Sequence, residues 1–154
     1  MVRLSDLHPQ EAKNLMSWPR VHIERGEWIT PKPLEESTIA LITTAGLHRR
    51  HDPPFVAGGV DYRIIPGDVD FGDIVSSHVS ANWDRSALAE DLNVVLPIER
   101  LRELADAGEI GGVANWHYSF MGGIPRPDRL EPYAREVARL LKADGVDAAV
   151  LVPV

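Results

Sequence analysis

Four histidines, two arginines, a tyrosine and a serine carry the chemistry available to this chain. His48, Arg49, Arg50 and His51 form a dense polar cluster, LHRRHD, soon after the apolar run 39–42. His78 follows the shorter run Ile74-Val75, and His117, Tyr118 and Ser119 follow the segment 110–116. Imidazole titrates near neutral pH, so His48, His51, His78 and His117 are candidates for acid–base work or for positioning a substrate. Arg49 and Arg50 suit paired N–H donation to a substrate carboxylate. Tyr118 and Ser119 are candidate donors to a developing negative charge or to substrate. Each residue also has a structural reading. A histidine at a strand end commonly serves as a hydrogen-bonding partner, and Arg49 or Arg50 can pair with Asp52. A second functional reading is a metal module in which the same four imidazoles ligate zinc or iron, although the spacing of His48 and His51 has no helical geometry behind it. Asp68, Asp70 and Asp73 lack the glycine and closing glutamate of a calcium loop and read as solvated.

The elements that must position these residues alternate between strand and helix. Segment 38–43 is β-branched and apolar enough for a buried strand, and Pro53-Pro54 ends regular structure after the polar cluster. Segment 60–65 reads as a second strand stopped by Pro66-Gly67, and 74–77 as a short third. Ile98, Leu101, Leu104 and Ala105 repeat at helical spacing, with Pro97 at the start and Gly108 at the end. Segment 110–116 reads as a strand ending at the His117–Ser119 cluster. Asp128 is positioned to cap a long helix with Leu130, Ala134, Val137, Leu140 and Leu141 on one stripe, stopped by Gly145. The last run, DAAVLVPV, has the continuous apolar character of a buried parallel strand. The expected fold class is therefore α/β: an open, mostly parallel sheet with helices on its faces, Rossmann- or flavodoxin-like. In such a sheet, loops at the carboxyl ends of the strands bring the histidines to one edge. Residues 1–36 form an N-terminal helix, with Leu15 and Met16 facing inward, and an extended arm wrapped over the body. Residues 37–154 form the α/β domain.

Composition narrows the function classes. The chain has 154 residues, no cysteine and a net charge of −7, enough for one domain and too acidic for a broad nucleic-acid face. No apolar run approaches the roughly 18 residues of a membrane span, and MVRLSDLHPQEAK lacks the apolar core of a signal peptide. The expectation is a cytoplasmic protein that binds a small molecule, without nucleic-acid or membrane partners. The lack of cysteine removes disulfides and thiolate chemistry from these residues.

The segments TTAGLHRRHDPPF, DYRIIPGD, SSHVSANWDR, EDLNVVLPIERLREL, IGGVANWHYSFMG and GVDAAVLVPV, in this order, resemble the selenoprotein B family of glycine, sarcosine, betaine and D-proline reductases. The likeness is strongest to the proB-type subunit of D-proline reductase. It implies a dithiol-dependent reductive cleavage of a small amino-acid-like substrate. A selenocysteine or cysteine acts as nucleophile there, and a pyruvoyl group on a partner reductase subunit activates the amine. Thiols supply the electrons. The resemblance places that nucleophile directly after DAAVLVPV, so the chain is expected to be incomplete at its C-terminus, an in-frame UGA codon having been taken as a stop. By itself it is then expected to be inactive and to form homo-oligomers that cover an apolar sheet edge. The alternative is a catalytically silent binding or scaffold subunit.

Overall fold

Strand β1 (Thr38–Thr43) is the centre of the molecule, and its alternating side chains feed two separate apolar clusters. Ile39 and Leu41 join Leu47, Ile65, Leu96, Ile98 and Leu101 on one face. Ala40 joins Ala114, Tyr118, Phe120, Val137 and Leu141 on the other, as the two-residue repeat of a strand requires. The computed structural model describes residues 3–18, 22, 26, 29–80, 83, 85–124 and 126–154.

The described elements run β1, β2 (Leu47–Arg49), β3 (Tyr62–Pro66), β4 (Ile74–Ser76), β5 (Gly112–Val113), β6 (Trp116–Phe120) and β7 (Ala148–Val152). The helices are α1 (Pro9–Met16), α2 (Ser86–Glu90), α3 (Ile98–Asp106) and α4 (Glu131–Ala143). β1 is parallel to β7 on one side and to β5 and β6 on the other. β3 runs antiparallel to β6 at the far edge. β2 and β4 form a separate antiparallel ribbon. The α/β class holds, with α3 on one sheet face and α4 on the other. The main sheet is mixed, because β3 reverses direction, and His48 and His78 ride on the ribbon instead.

Three local expectations are corrected. β6 continues through Phe120, so His117, Tyr118 and Ser119 lie inside a strand and not in a loop beyond it. β7 is an edge strand whose Val150 and Leu151 are 43% and 68% exposed; an apolar run records what a strand avoids, not how many neighbours it has. α1 buries no residue, and Leu15 and Met16 are exposed. Its cap is His8, whose Nδ1 accepts from the Gln10 N–H at 3.3 Å. Half of the arm over 18–33 lies outside the described residues, Trp28 included, as do Asn82 and Asp84. Lys32 does reach the domain, pairing with Asp147 at 2.7 Å.

The neighbour of β1 carries a bulge. Register shifts by two residues between the pairs Ile39↔Val113 and Ile42↔Tyr118. A bulge removes backbone partners from the facing strand, and here the Leu41 N–H instead donates to His117 Nδ1 at 3.0 Å.

Candidate active site

The chain leaves β1 through Thr44-Ala45-Gly46, a turn that packs tightly on three neighbours. The Thr44 N–H donates to the Val152 carbonyl at 3.1 Å, and the Gly46 N–H donates to that of Phe120 at 2.9 Å. Thr44 Oγ1 accepts from the Val154 N–H at 2.8 Å. One short turn thereby ties together the carboxyl ends of β1, β6 and β7. Gly46 has φ +61°, and a Cβ there would sit 3.0 Å from the His78 backbone nitrogen. Only glycine meets both conditions without strain.

His78 arrives from the ribbon. Pairing of Leu47 with Ser76 sets its register, Ser76 Oγ donates to the Ala45 carbonyl at 2.8 Å, and the Ser77 N–H donates to the Gly46 carbonyl at 3.0 Å. The imidazole is 3% exposed. Its ring lies 4.7 Å from that of Trp83, and Arg85 donates to the His78 carbonyl while resting 5.9 Å from the Trp83 ring. Burial, with the Arg85 charge second, pushes the His78 pKa below the usual histidine value. Gly122 allows a close approach here: a Cβ on it would meet His78 Nε2 at 2.6 Å, the Val154 carbonyl at 2.8 Å and the Thr44 carbonyl at 2.9 Å. The imidazole, the end of β7 and the β1 turn therefore pack so closely around Gly122 that a side chain has no room there.

The other candidate residues occupy different places. His117 is fully buried within β6, and burial lowers its pKa to about 4, with Arg102 adding to the effect. It is a neutral partner for the bulge. The Ser119 hydroxyl accepts from the Leu47 N–H at 2.7 Å. Tyr118 lies on the opposite face, with its ring 5.7 Å from that of Tyr62, and burial raises its pKa. His48 directs Nδ1 at the Arg49 carbonyl, 2.8 Å away, and its ring edge at Phe55. His51 is exposed in the following turn. The Arg49 guanidinium is held by Asp52 through two contacts of 3.0 Å, and this pairing keeps the Asp52 carboxyl below the usual range. Arg50 donates to the Gly72 carbonyl at 3.0 Å. β2 carries Arg49 about 10 Å beyond Gly46 at ordinary strand rise. Among the described residues no three His, Asp or Glu side chains are grouped to hold a metal ion, so the four histidines do not form the ligand set considered above.

Thr44, Trp83, Gly122 and Arg63 were not visible as site or scaffold residues. The Gly122-Gly123 pair directly after an apolar strand was the available signal for Gly122, since glycine in such a place marks a close approach. Arg63 had no local signal. It fixes the loop after the polar cluster by donating to the Pro53 carbonyl at 2.8 Å and stacking 4.4 Å over Phe55.

The class of protein defined by this arrangement is an α/β domain with a buried imidazole at the carboxyl ends of three parallel strands. Residues 20–154 match the family of glycine/sarcosine/betaine reductase selenoprotein B, and the chain belongs to that family. It is 38% identical over 122 residues to the D-proline reductase subunit gamma of Acetoanaerobium sticklandii, covering 78% of this chain and 50% of that protein. It is 27% identical over 124 residues to the glycine reductase complex component B subunit gamma of Carboxydothermus hydrogenoformans, covering 78% and 28%. The betaine reductase complex component B subunit beta of Peptoclostridium acidaminophilum is 29% identical over 124 residues, with the same coverage. The chain thus spans about half the length of the first of these relatives and under a third of the other two. No solved structure matches it. Among the described residues, no helix is long and apolar enough to cross a membrane.

Proposed function

We propose that this chain is part of a reductase-complex subunit that cleaves a small amino-acid-like substrate reductively, with thiols as the electron source and a partner subunit completing the enzyme. The observation that carries the proposal is the close packing of His78 Nε2, the Thr44 carbonyl and the Val154 carbonyl around Gly122 at the end of β7. In this reading a selenocysteine or cysteine follows Val154 and supplies the nucleophile that displaces the substrate amine. A selenol is ionised near neutral pH, whereas a thiol depends on its thiolate fraction. Among the described residues, His78 Nε2 is buried without a hydrogen-bond partner. Thr44 fixes the end of β7 through its hydroxyl, Trp83 packs on the imidazole and Arg85 holds the His78 carbonyl. The pyruvoyl group belongs to the partner subunit in this reading, and no residue of this chain is assigned to it. His48 and Arg49 lie on the ribbon with Arg50 and His51 in the turn after it, and Arg49 serves substrate only by releasing Asp52.

The test has two stages. The gene is read past codon 154, where UGA or a cysteine codon followed by family-like sequence is expected; any other continuation removes the reductase reading. The full-length protein with its partner subunit is then assayed for dithiothreitol-dependent reduction of D-proline, glycine, sarcosine and betaine. Turnover of at least one of these, or of a related small amino acid, is the expected result.

A further inference from the structure

On the α4 face of the main sheet, Tyr118 is 1% exposed, and its hydroxyl has no hydrogen-bond partner among the described residues. The neighbouring Tyr62, its ring 5.7 Å away, has one in Glu136. Tyr118 is the buried member of a slot of about 190 Å³, lined also by Ile64 of β3, Trp116 of β6, Leu140 of α4 and Asp144. Ile64 and Trp116 are 40% and 43% exposed, so the slot opens to solvent. Asp144 is the one charged residue lining it, and among the described residues it has no ion pair. It is also the C-cap of α4, where the negative end of the helix dipole adds to the pull of the carboxylate on a cation. The basic residues Arg135, Arg139 and Lys142 lie along a different surface of α4, and none of them lines the slot.

We propose that this slot binds a small organic cation, an alkylammonium group on a short apolar stem. Asp144 supplies the opposite charge, and the Tyr118 hydroxyl oxygen accepts a hydrogen bond from the ammonium group. Trp116 adds an indole wall, the ring that attracts cations most strongly, while Ile64 and Leu140 cover the stem. The ligand gives the Tyr118 hydroxyl the partner that a polar group at such depth normally has. Burial first and the Asp144 charge second raise the pKa of that hydroxyl, so at neutral pH it is uncharged and its lone pairs are available to a donor. Size limits the ligand. At about 30 Å³ per water molecule, 190 Å³ is the space of about six waters, enough for an ammonium group and a stem of about three or four carbons. A carboxylate meets like charge at Asp144, so the slot rejects anions and disfavours amino acids, whose carboxylate stands close to the ammonium group. The site lies apart from His78 and does not rest on the reductase reading.

NMR titration of the 154-residue chain tests this, with n-butylammonium chloride as the probe and n-butanol, sodium butyrate and glycine as controls. The Trp116 indole signal and the Ile64 and Leu140 methyl signals are expected to shift with n-butylammonium and to saturate with a Kd of about 10 mM or below. The three controls shift them several-fold less at equal concentration. An equal response to n-butanol makes the slot merely apolar, and an equal response to butyrate or glycine removes its selectivity for cations; either result overturns the proposal. Asp144→Asn raises the Kd for n-butylammonium about threefold or more. Tyr118→Phe also raises it, yet leaves Tm unchanged, because the free protein gives that hydroxyl no partner to lose. A titration that fails to saturate, or one indifferent to both substitutions in folded protein, sinks the idea. None of these readouts depends on reductase activity or on the sequence past codon 154, so failure here leaves the reductase reading standing.

Discussion

Gly122→Ala is the sharpest test of the strand-end geometry. The added methyl group would lie 2.6 Å from His78 Nε2, 2.8 Å from the Val154 carbonyl and 2.9 Å from the Thr44 carbonyl, where ordinary contact is 3.4–4 Å. Three neighbours must each withdraw by about half an ångström or more. Thr44 is tied to both Val152 and Val154, and His78 is clamped by Trp83 and Arg85. Overpacking of this kind costs about 1–3 kcal/mol. For a chain of this size, each kcal/mol moves Tm by about 2–4 °C, so Gly122→Ala lowers Tm by about 2–12 °C. Gly112→Ala is the control, because nothing lies within 4 Å of a Cβ there. It is expected to be neutral or slightly stabilising, through a less flexible unfolded chain. Thermal melts followed by circular dichroism, with urea midpoints beside them, compare the two variants. Equal melting temperatures for Gly122→Ala and Gly112→Ala would refute the convergence of His78, Thr44 and Val154.

Four further outcomes are expected. His117→Leu leaves the buried Leu41 N–H unpaired and destabilises by about 1–3 kcal/mol, while His117→Asn, which keeps an acceptor, recovers part of the loss in urea melts. His117 is held neutral with a pKa of about 4, against the usual 6.5. Its contribution is therefore complete above pH 6.5 and is lost as pH falls from there toward 4, by up to about 3 kcal/mol; His117→Asn flattens that pH dependence, and an unchanged profile refutes the assignment. Arg49→Ala breaks an exposed pair with Asp52 and leaves stability nearly unchanged. It also leaves KM unchanged in the full-length enzyme, whereas a several-fold rise would return Arg49 to substrate binding. The exposed Val150 and Leu151 on an edge strand predict self-association of the 154-residue chain, relieved by Leu151→Lys; light scattering showing a clean monomer before that change contradicts it.

Much of the architecture is local and was legible as such. The β1 run, the α3 and α4 stripes and the glycines that stop those helices are short-range patterns, and the structure has them within a few residues of expectation. What was not legible depends on contacts far apart in the chain. The Leu41 N–H meets His117 across 76 positions, and nothing near His117 reveals that a bulge has left that N–H free. The end of β6 was misplaced for the same reason: a histidine and a serine in an apolar strand look like a strand end until their partners, Leu41 and Leu47, are known. β7 was assigned as buried because its composition is apolar, yet composition carries no count of neighbouring strands.

The polar cluster LHRRHD reads in the sequence as a ligand site, and in the structure its backbone also sets the ribbon. His48 and Arg49 pair along β2 with Val75 and Ile74 of β4, and the Arg50 N–H donates to the Asp73 carbonyl at 2.8 Å. Arg49 closes the tip of the ribbon onto Asp52. The backbone pairing of β2 with β4 and the Arg50 N–H bond to Asp73 fix where β4 runs, and β4 leads directly to His78. Because Leu47 pairs with Ser76, a shift of one residue in that register would turn every ribbon side chain to the opposite face and take the imidazole away from Gly122. The backbone of the polar cluster therefore bears on the site through register, at a distance, while the groups that surround it are a single histidine, backbone carbonyls and a glycine.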